Sequence, residues 1–396
     1  MSIKSIKHAR DLAGKRVLVR VDFNVPVKGK KVLDDSRLHA SLPTIKYLME
    51  KKAKAILLTH LGRPDGKAVK EFGVKPIADR LSEILNKKVI KLRSCEVAKV
   101  REDVLKMKNG DVVMLENVRF SSDEKKDTGT LSKDLASLAD IFVLDGFGVA
   151  HRASASVTGV AKYLPSYAGL LLEKEIEGLS KVTENPKKPF VVVLGGVKIE
   201  TKIPILQNLL KKADHILIGG GLVNTYLAAK GYKVGGSLID KDYFKDAIRY
   251  CGNKKVIKPV DLVIGDKEGK KFNVRQIDLG FGLRDSGYGI YDIGPETIRL
   301  YAKYIKQAKT IVWNGAMGYF EQKPYDAGTL AIARLVASRS KGKAFGVIGG
   351  GETLQAMDLV GMKEDVDLVS TGGGAMLEYL AGKELPGIAA LEKNKE

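Results

Sequence analysis

The feature that most constrains this chain is an alternation carried from one end to the other: short runs rich in β-branched residues, each separated from the next by a longer amphipathic stretch. In the first half the short runs lie at 16–21, 55–58, 112–115 and 141–144. In the second half they lie at 190–194, 215–218, 310–313, 344–348 and 367–369. Segments with apolar residues at helical spacing fall between them, at 42–50, 77–85, 203–212 and 330–338. Such a pattern predicts βαβ units and parallel sheets flanked by helices, an α/β class. At 396 residues the chain exceeds one ordinary core, so two domains are expected.

The boundary is read near 164–189, where Pro165 opens the segment and Asn185-Pro186 with Pro189 closes it. An apolar helical pattern at 168–179 predicts a stiff connector rather than a loose tether. The domain limits expected are 1–168, a connecting helix at 169–185, and 186–379. A tail at about 380–396 turns apolar at 388–391 and then charged.

The residues just after each short run differ between the halves. In the first half the chain enters charged or polar residues: Asp22-Phe23-Asn24, His60-Leu61-Gly62-Arg63, Glu116-Asn117-Val118-Arg119, and Asp145 with His151-Arg152. In the second half it enters glycine: Gly195-Gly196-Val197-Lys198, Gly219-Gly220-Gly221, Asn314-Gly315, Gly349-Gly350-Gly351 and Gly372-Gly373-Gly374. Ligands of open α/β sheets bind outside the carboxyl ends of the strands. One half therefore offers cationic side chains to an anion, and the other offers bare backbone to something larger.

Arg37, Arg63, Arg119 and Arg152, with His60 beside them, suit a small molecule bearing several negative charges. Guanidinium groups pair with carboxylate and phosphate oxygens in a bidentate way and stay charged. On the glycine side, N–H groups at helix starts bind phosphate, and glycine lets the phosphate approach. Lys198 and Lys202, four residues apart, are expected on one helix face beside that turn.

Net charge is +20, from 67 basic and 47 acidic residues. Its lysines are dispersed rather than clustered, which favours a solvated basic surface and an anionic small substrate over nucleic-acid binding. Two distant cysteines, Cys95 and Cys251, make no disulfide framework or metal spacing and fit a reducing compartment. No apolar run approaches the roughly 18 residues that span a bilayer, and no signal-peptide stretch follows the basic start. A cytoplasmic protein without a membrane partner is expected.

No GxxxxGK[ST] sequence occurs, which excludes a P-loop enzyme, and no H-R-D with D-F-G set, which excludes a protein kinase. No complete G-x-G-x-x-G follows a strand, which argues against a dinucleotide-dependent oxidoreductase. A kinase lacking a general base is sensible where the acceptor is a carboxylate, already ionised at neutral pH.

Taken together the motifs resemble phosphoglycerate kinase across the chain and in order. They run from Arg20-Val21-Asp22-Phe23-Asn24-Val25-Pro26 through Asp35-Ser36-Arg37, His60–Pro64, Glu116–Phe120 and Ala150-His151-Arg152. They continue with Gly195–Lys202, Gly219-Gly220-Gly221, Asp292-Ile293-Gly294-Pro295, Trp313-Asn314-Gly315 with Glu321, Gly349–Thr353, Ser370–Ala375 and Leu385-Pro386-Gly387. The resemblance implies two Rossmann-like domains that close over a cleft, with the C-terminal segment returning to the first.

It also implies reversible transfer of the acyl phosphate of 1,3-bisphosphoglycerate to ADP, giving 3-phosphoglycerate and ATP with Mg²⁺, by a monomer. Asp22, Phe23, Asn24, Arg37, His60, Leu61, Gly62, Arg63, Arg119 and Arg152 would hold the phosphoglycerate. Lys202, Gly219, Gly220, Asn314, Glu321, Gly350, Gly351, Glu352 and Thr353 would hold the nucleotide, with Glu352 toward its Mg²⁺. Arg37, Lys198, Lys202, Gly351 and Gly373 would stabilise the group in flight. The chain departs from the family pattern at Leu144-Asp145-Gly146-Phe147, at Ser154 in place of a histidine, at Ala316 in place of a proline, and at Glu352 in place of an aspartate.

Overall fold

The structure, a computed structural model, describes residues 3–127, 129–278, 281–283 and 287–394. Its contacts divide the chain into two compact units, Met1–Ile176 with Glu384–Glu396, and Glu177–Lys383.

In the first unit the strands are β1 (Arg16–Arg20), a small hairpin of β2 (Val27–Lys28) and β3 (Lys31–Val32), β4 (Lys54–Leu58), β5 (Val89–Lys91), β6 (Val112–Met114), β7 (Ile141–Leu144) and β8 (Ser166–Ala168). Its helices are α1 (Ser36–Glu50), α2 (Lys75–Leu85), α3 (Val97–Leu105), α4 (Leu131–Ala136) and the start of α5 (Leu170–Thr183). Six strands form a parallel sheet in the order β5-β6-β4-β1-β7-β8. Strand β1 is central, with Val17 opposite Ala55 on one side and Ile141 on the other. A parallel sheet covered on both faces needs apolar side chains in both directions, so these strands read as continuous runs rather than alternations. Val17, Val19, Leu57, Met114 and Val143 enter one core with Leu38, Ile45 and Leu81 from α1 and α2.

The second unit repeats the plan. Its strands are β9 (Phe190–Leu194), β10 (His215–Ile218), β11 (Val256–Ile257), β12 (Asp261–Gly265), β13 (Phe272–Gln276), β14 (Gly289–Ile293), β15 (Thr310–Asn314), β16 (Phe345–Gly349) and β17 (Leu368–Ser370). Helices α6 (Ile199–Leu209), α7 (Gly220–Ala229), α8 (Phe244–Cys251), α9 (Pro295–Gln307), α10 (Ala327–Arg339), α11 (Gly351–Val360) and α12 (Gly374–Leu380) surround them. A parallel sheet runs β11-β10-β9-β15-β16-β17, and β13-β12-β14 form a separate antiparallel sheet. That second sheet was not expected from the sequence: β13 is exposed at every position and carries no apolar signal of a core strand. Trp313, Tyr301 and Val193 anchor the core.

The four helices expected from apolar periodicity all begin earlier than it suggests, two of them by a full turn or more. α1 starts at Ser36 rather than 42, and α6 at Ile199 rather than 203, with Pro43 and Pro204 inside. A proline reads as a first-turn residue because its missing N–H costs nothing there. In both helices it lies several residues further in and disguises the true start. The tail after Leu385 forms α13 (Pro386–Lys393) and packs in the first unit.

Candidate active site

In the first unit the chain runs from β1 to β4, β5 and β6 on one side of it and then crosses to β7 and β8 on the other. The crevice of an open sheet forms where the connections leave in opposite directions. Asp22 follows β1, His60 follows β4, Arg119 follows β6, and His151-Arg152 follow β7, while Arg37 lies in the first turn of α1. The fold thus gathers residues more than a hundred positions apart.

Asp22, only 9% exposed, pairs through Oδ2 with Nη1 of Arg37. His60 is 1% exposed, and its Nδ1 lies 3.2 Å from Nη2 of Arg20 and 3.8 Å from Oδ1 of Asp22. Burial, then the charges of Arg20, Arg152, Arg37 and His151, push its proton affinity well below that of an ordinary histidine. His60 is therefore neutral. Arg152 is half-buried, and burial lowers its pKa, with Arg63 and Arg37 adding repulsion and Asp22 opposing it. Arg119 is anchored by Nη1 to the carbonyl of Gly62 at 2.6 Å, and Asn24 accepts from the Gly62 N–H at 3.0 Å. Gly62 has φ +62, and a Cβ there would meet the Phe72 ring at 2.4 Å, so glycine is required.

Three buried polar atoms of this cluster, Asp22 Oδ1, His60 Nε2 and His151 Nδ1, have no hydrogen-bond partner among the described residues. Each orphan costs about 1–3 kcal/mol, and repelling cations add to that. A folded protein keeps such a cluster where a ligand completes it. Two expected contacts fall differently. The side chains of Phe23 and Leu61 are in the core, and their backbone groups are taken up within the protein. Phe23 N–H donates to Thr59 Oγ1, and the Leu61 N–H and carbonyl both bond Asn117.

In the second unit the order turns between β9 and β15, and both strands end in glycine turns. Gly196 (φ +86) and Gly315 (φ +90) lie against each other; a Cβ on Gly315 would be 2.3 Å from the Gly195 carbonyl. Gly220 N–H donates to the Met317 carbonyl at 2.8 Å and Gly221 N–H to that of Gly196 at 3.0 Å. Beside these turns opens a cavity of about 370 Å³. Its walls are largely apolar, with Val223, Leu238, Ile290, Tyr291 and Phe320, and its lining includes three acidic residues, Asp292, Glu321 and Glu352. Apolar walls with a few placed polar groups suit a flat heteroaromatic ring joined to a polar chain.

Lys202, 7% exposed on α6, donates from Nζ to Asn314 Oδ1. Burial lowers its pKa to about 8, while Glu352 and Glu200 hold it up and Lys198 lowers it. Lys198 is the residue before α6 and is exposed, whereas Lys202 lies within the helix and is buried, though the charge of Lys198 still reaches it. The helix begins one residue too late for both to lie on it. Asn314 also donates to the Gly349 carbonyl at 2.6 Å, and Thr353 accepts from the Gly315 N–H at 2.7 Å. Both are buried, so they shape the turns. A Cβ added at Gly351 or Gly373 would meet nothing within 4 Å, so the backbone there is uncovered on that side. Glu352 is the second residue of α11, and its Oε2 accepts from the Ala316 N–H at 3.3 Å.

Sequence reasoning missed Asn224, Leu238, Lys267 and Tyr291 in this cavity. Asn224 is a buried polar residue in α7, and a polar residue on an apolar helix face was the one available signal. The other three sit in loops or in the unforeseen antiparallel sheet.

The phosphoglycerate kinase family model matches residues 6–383. A phosphoglycerate kinase of Thermosipho africanus is 48% identical over 391 residues, covering 98% of this chain and 97% of that protein. One of Borreliella afzelii is 45% identical, covering 99% and 100%. The solved phosphoglycerate kinase of Coxiella burnetii superposes with a TM-score of 0.89 at 41% identity, over 100% of both chains.

Proposed function

The chain belongs to the phosphoglycerate kinase family, and from that premise we propose how its own residues carry out the reaction. It is an ATP-dependent phosphotransferase of glycolysis and gluconeogenesis with a carboxyl group as acceptor. An ADP β-phosphate oxygen attacks the phosphorus of the acyl phosphate of 1,3-bisphosphoglycerate. The bond from phosphorus to the carboxyl oxygen breaks, and 3-phosphoglycerate leaves as a carboxylate. No proton has to move, so positioning and charge neutralisation are what remain for the protein.

Asp22, Asn24, Arg37, His60, Arg63, Arg119 and Arg152 hold the phosphoglycerate, and Phe23, Leu61 and Gly62 shape the turns that carry them. The observation that carries this is the set of three unpartnered buried atoms inside a ring of arginines. Neutral His60 serves as a hydrogen-bond donor and not as a base. The cavity beside Glu321, bordered by the Gly219-Gly220 turn, takes the nucleoside, and the turn at Gly350-Gly351 takes its phosphates, with Asn314 and Thr353 holding that turn in shape. Arg37, Lys198 and Lys202, with N–H groups at Gly351 and Gly373, offset the charge of the group in flight.

Among the described residues no three His, Cys, Asp or Glu side chains could hold a metal. Glu352, at the start of α11 beside the glycine turn, is the carboxylate the protein would offer, directly or through water, to an Mg²⁺ carried by nucleotide phosphates. Bound there, the ion would neutralise phosphate charge. No helix among the described residues is long and apolar enough to cross a membrane. The buried free thiols of Cys95 and Cys251 suit a reducing cytoplasm.

The test is a crossed pair of variants in a coupled assay with ATP, 3-phosphoglycerate and Mg²⁺. Arg152→Ala is expected to raise KM for 3-phosphoglycerate by roughly tenfold or more while KM for ATP holds. Lys202→Ala is expected to do the reverse. A crossed outcome, with each variant harming the other ligand, would overturn the assignment.

A further inference from the structure

Behind His60 lies a chain of buried groups, and its meaning rests on the assignment of His60 to the phosphoglycerate site. We propose that Glu124 and Ser156, acting through Arg20, are positioning residues that lock His60 in its Nε2–H tautomer, so that it presents a donor and never an acceptor to the anion.

Hydrogen-bond bookkeeping decides the tautomer. Arg20 is 1% exposed, and its guanidinium can donate but cannot accept. Its 3.2 Å contact from Nη2 to His60 Nδ1 is a hydrogen bond only when Nδ1 offers a lone pair. The ring proton then sits on Nε2, the atom with no partner among the described residues. The other arms of Arg20 are fixed as well. Nη1 donates to the Val21 carbonyl, and Nε donates to Ser156 Oγ at 2.8 Å. With its lone pair so used, the Ser156 hydroxyl donates to Glu124 Oε1 at 2.6 Å.

Glu124 is 3% exposed and ends the chain of groups. It takes the Ser156 N–H at 3.0 Å on Oε2 and the Ser154 hydroxyl at 3.0 Å on Oε1. Its carboxylate balances the buried Arg20 cation, and a buried cation without such a partner is strongly disfavoured. Ser154 stands where the family pattern has histidine, and here its hydroxyl serves Glu124.

The group that would stabilise the other tautomer lies beside the ring. Asp22 Oδ1, also unpartnered, lies 3.8 Å from His60 Nδ1. If Arg20 were released from Ser156 it could swing to Asp22. Nδ1 could also take a proton and face that carboxylate itself. A neutral ring so turned would aim a lone pair at the substrate. The groups facing His60 are Arg20, Arg37, Arg152, His151 and Asp22, and the cations among them, with burial, keep the ring from charging.

¹⁵N NMR of the His60 ring in the full chain, between pH 6 and 8, reads the tautomer directly. The wild type is expected to show Nε2–H alone. Ser156→Ala and Glu124→Gln are expected to populate the Nδ1–H or charged form and to raise KM for 3-phosphoglycerate roughly tenfold, with kcat changed less. Ser156→Thr keeps the hydroxyl and is expected to keep the wild-type spectrum. An Nδ1–H ring in the wild type would overturn the proposal, as would folded Ala and Gln variants that keep the Nε2–H form. His60→Ala separates the two assignments. An unchanged KM there would remove His60 from the substrate site, while the spectra would still decide the relay.

Discussion

Burial and neighbouring carboxylates pull the Lys202 ammonium in opposite directions. Desolvation alone lowers its proton affinity, and Glu352 gives back part of the loss. Glu352 thus has three uses in view: it complements the start of α11, it ties the Ala316 turn, and it supports the charge on Lys202. Lys202 is charged below a pKa of about 8, so ADP affinity is expected to fall as pH rises through that value. Glu352→Gln keeps the size and removes the charge. It is expected to shift this alkaline loss to lower pH and to raise the Mg²⁺ needed for half-maximal rate. An unchanged pH profile and Mg²⁺ requirement, with only a small drop in Tm, would leave Glu352 as a helix-start residue worth about 0.3–1 kcal/mol. The residue types of the site were legible in the sequence, because cations and glycines gathered at strand ends serve anion binding far more often than packing. Side-chain direction was not legible: Lys198 and Lys202 share a motif but part at the helix boundary, and Phe23 shares a motif with Asp22 but faces the core.

Among the elements, three buried aspartates cap helices from neighbouring strands. Asp145, just after β7, accepts from the Leu171 N–H at 3.1 Å at the start of α5 and from Thr44 Oγ1 at 2.7 Å. Asp261 accepts from the N–H groups of Glu296 and Thr297 at the start of α9, and Asp292 from that of Gly328 at the start of α10. Neither α9 nor α10 has a capping side chain of its own. A local start signal sits within a few residues of the helix, whereas these caps come from 26 to 36 positions away and leave no trace there. Burial raises Asp145 to about 6, with the hydrogen bond from Thr44 opposing. An unfolded aspartate titrates near 3.9. Between about pH 4 and 6 the folded state therefore holds a proton that the unfolded state has lost. Stability contributed by Asp145 is present at the acid end and is lost as pH rises through 6, by at most about 3 kcal/mol. Asp145→Asn keeps an acceptor for Thr44 and Leu171 and cannot ionise. Its Tm is expected to fall less than that of the wild type between pH 4 and 6.5 and to match or exceed it at pH 7.5. A variant with the wild-type slope would show that Asp145 titrates normally.

For the molecule as a whole, the chain enters the first unit twice, at its beginning and again after Lys383. The apolar run after Gly387 marks the tail in the sequence as something to be buried, but a run that short carries no address. The structure supplies it in contacts. Leu385, Ile388 and Leu391 are each 2–3% exposed. Gly387 donates to the Ala150 carbonyl at 2.8 Å, and a Cβ on it would come within 3.0 Å of Val157, Ala150 and Leu144. Asn394 donates to the Leu164 carbonyl at 2.7 Å. The tail thus supports the segment that carries His151, Arg152 and the Ser154–Ser156 turn. Burying one such aliphatic side chain contributes about 1.5–3 kcal/mol, so three together approach the whole stability of a domain, about 5–15 kcal/mol. A chain ending at Lys383 is expected to lose 3-phosphoglycerate binding and the cooperative melting of its first unit. ADP binding, which draws on the second unit, should stay within about twofold, a change well under the 1.4 kcal/mol of a tenfold effect. Ile388→Ala, costing about 2–5 kcal/mol, should weaken the same ligand to a lesser degree. Calorimetry and titration with each ligand separately would decide it. A truncated chain that melts normally and binds 3-phosphoglycerate as before would show that the first unit closes its core without the returning helix.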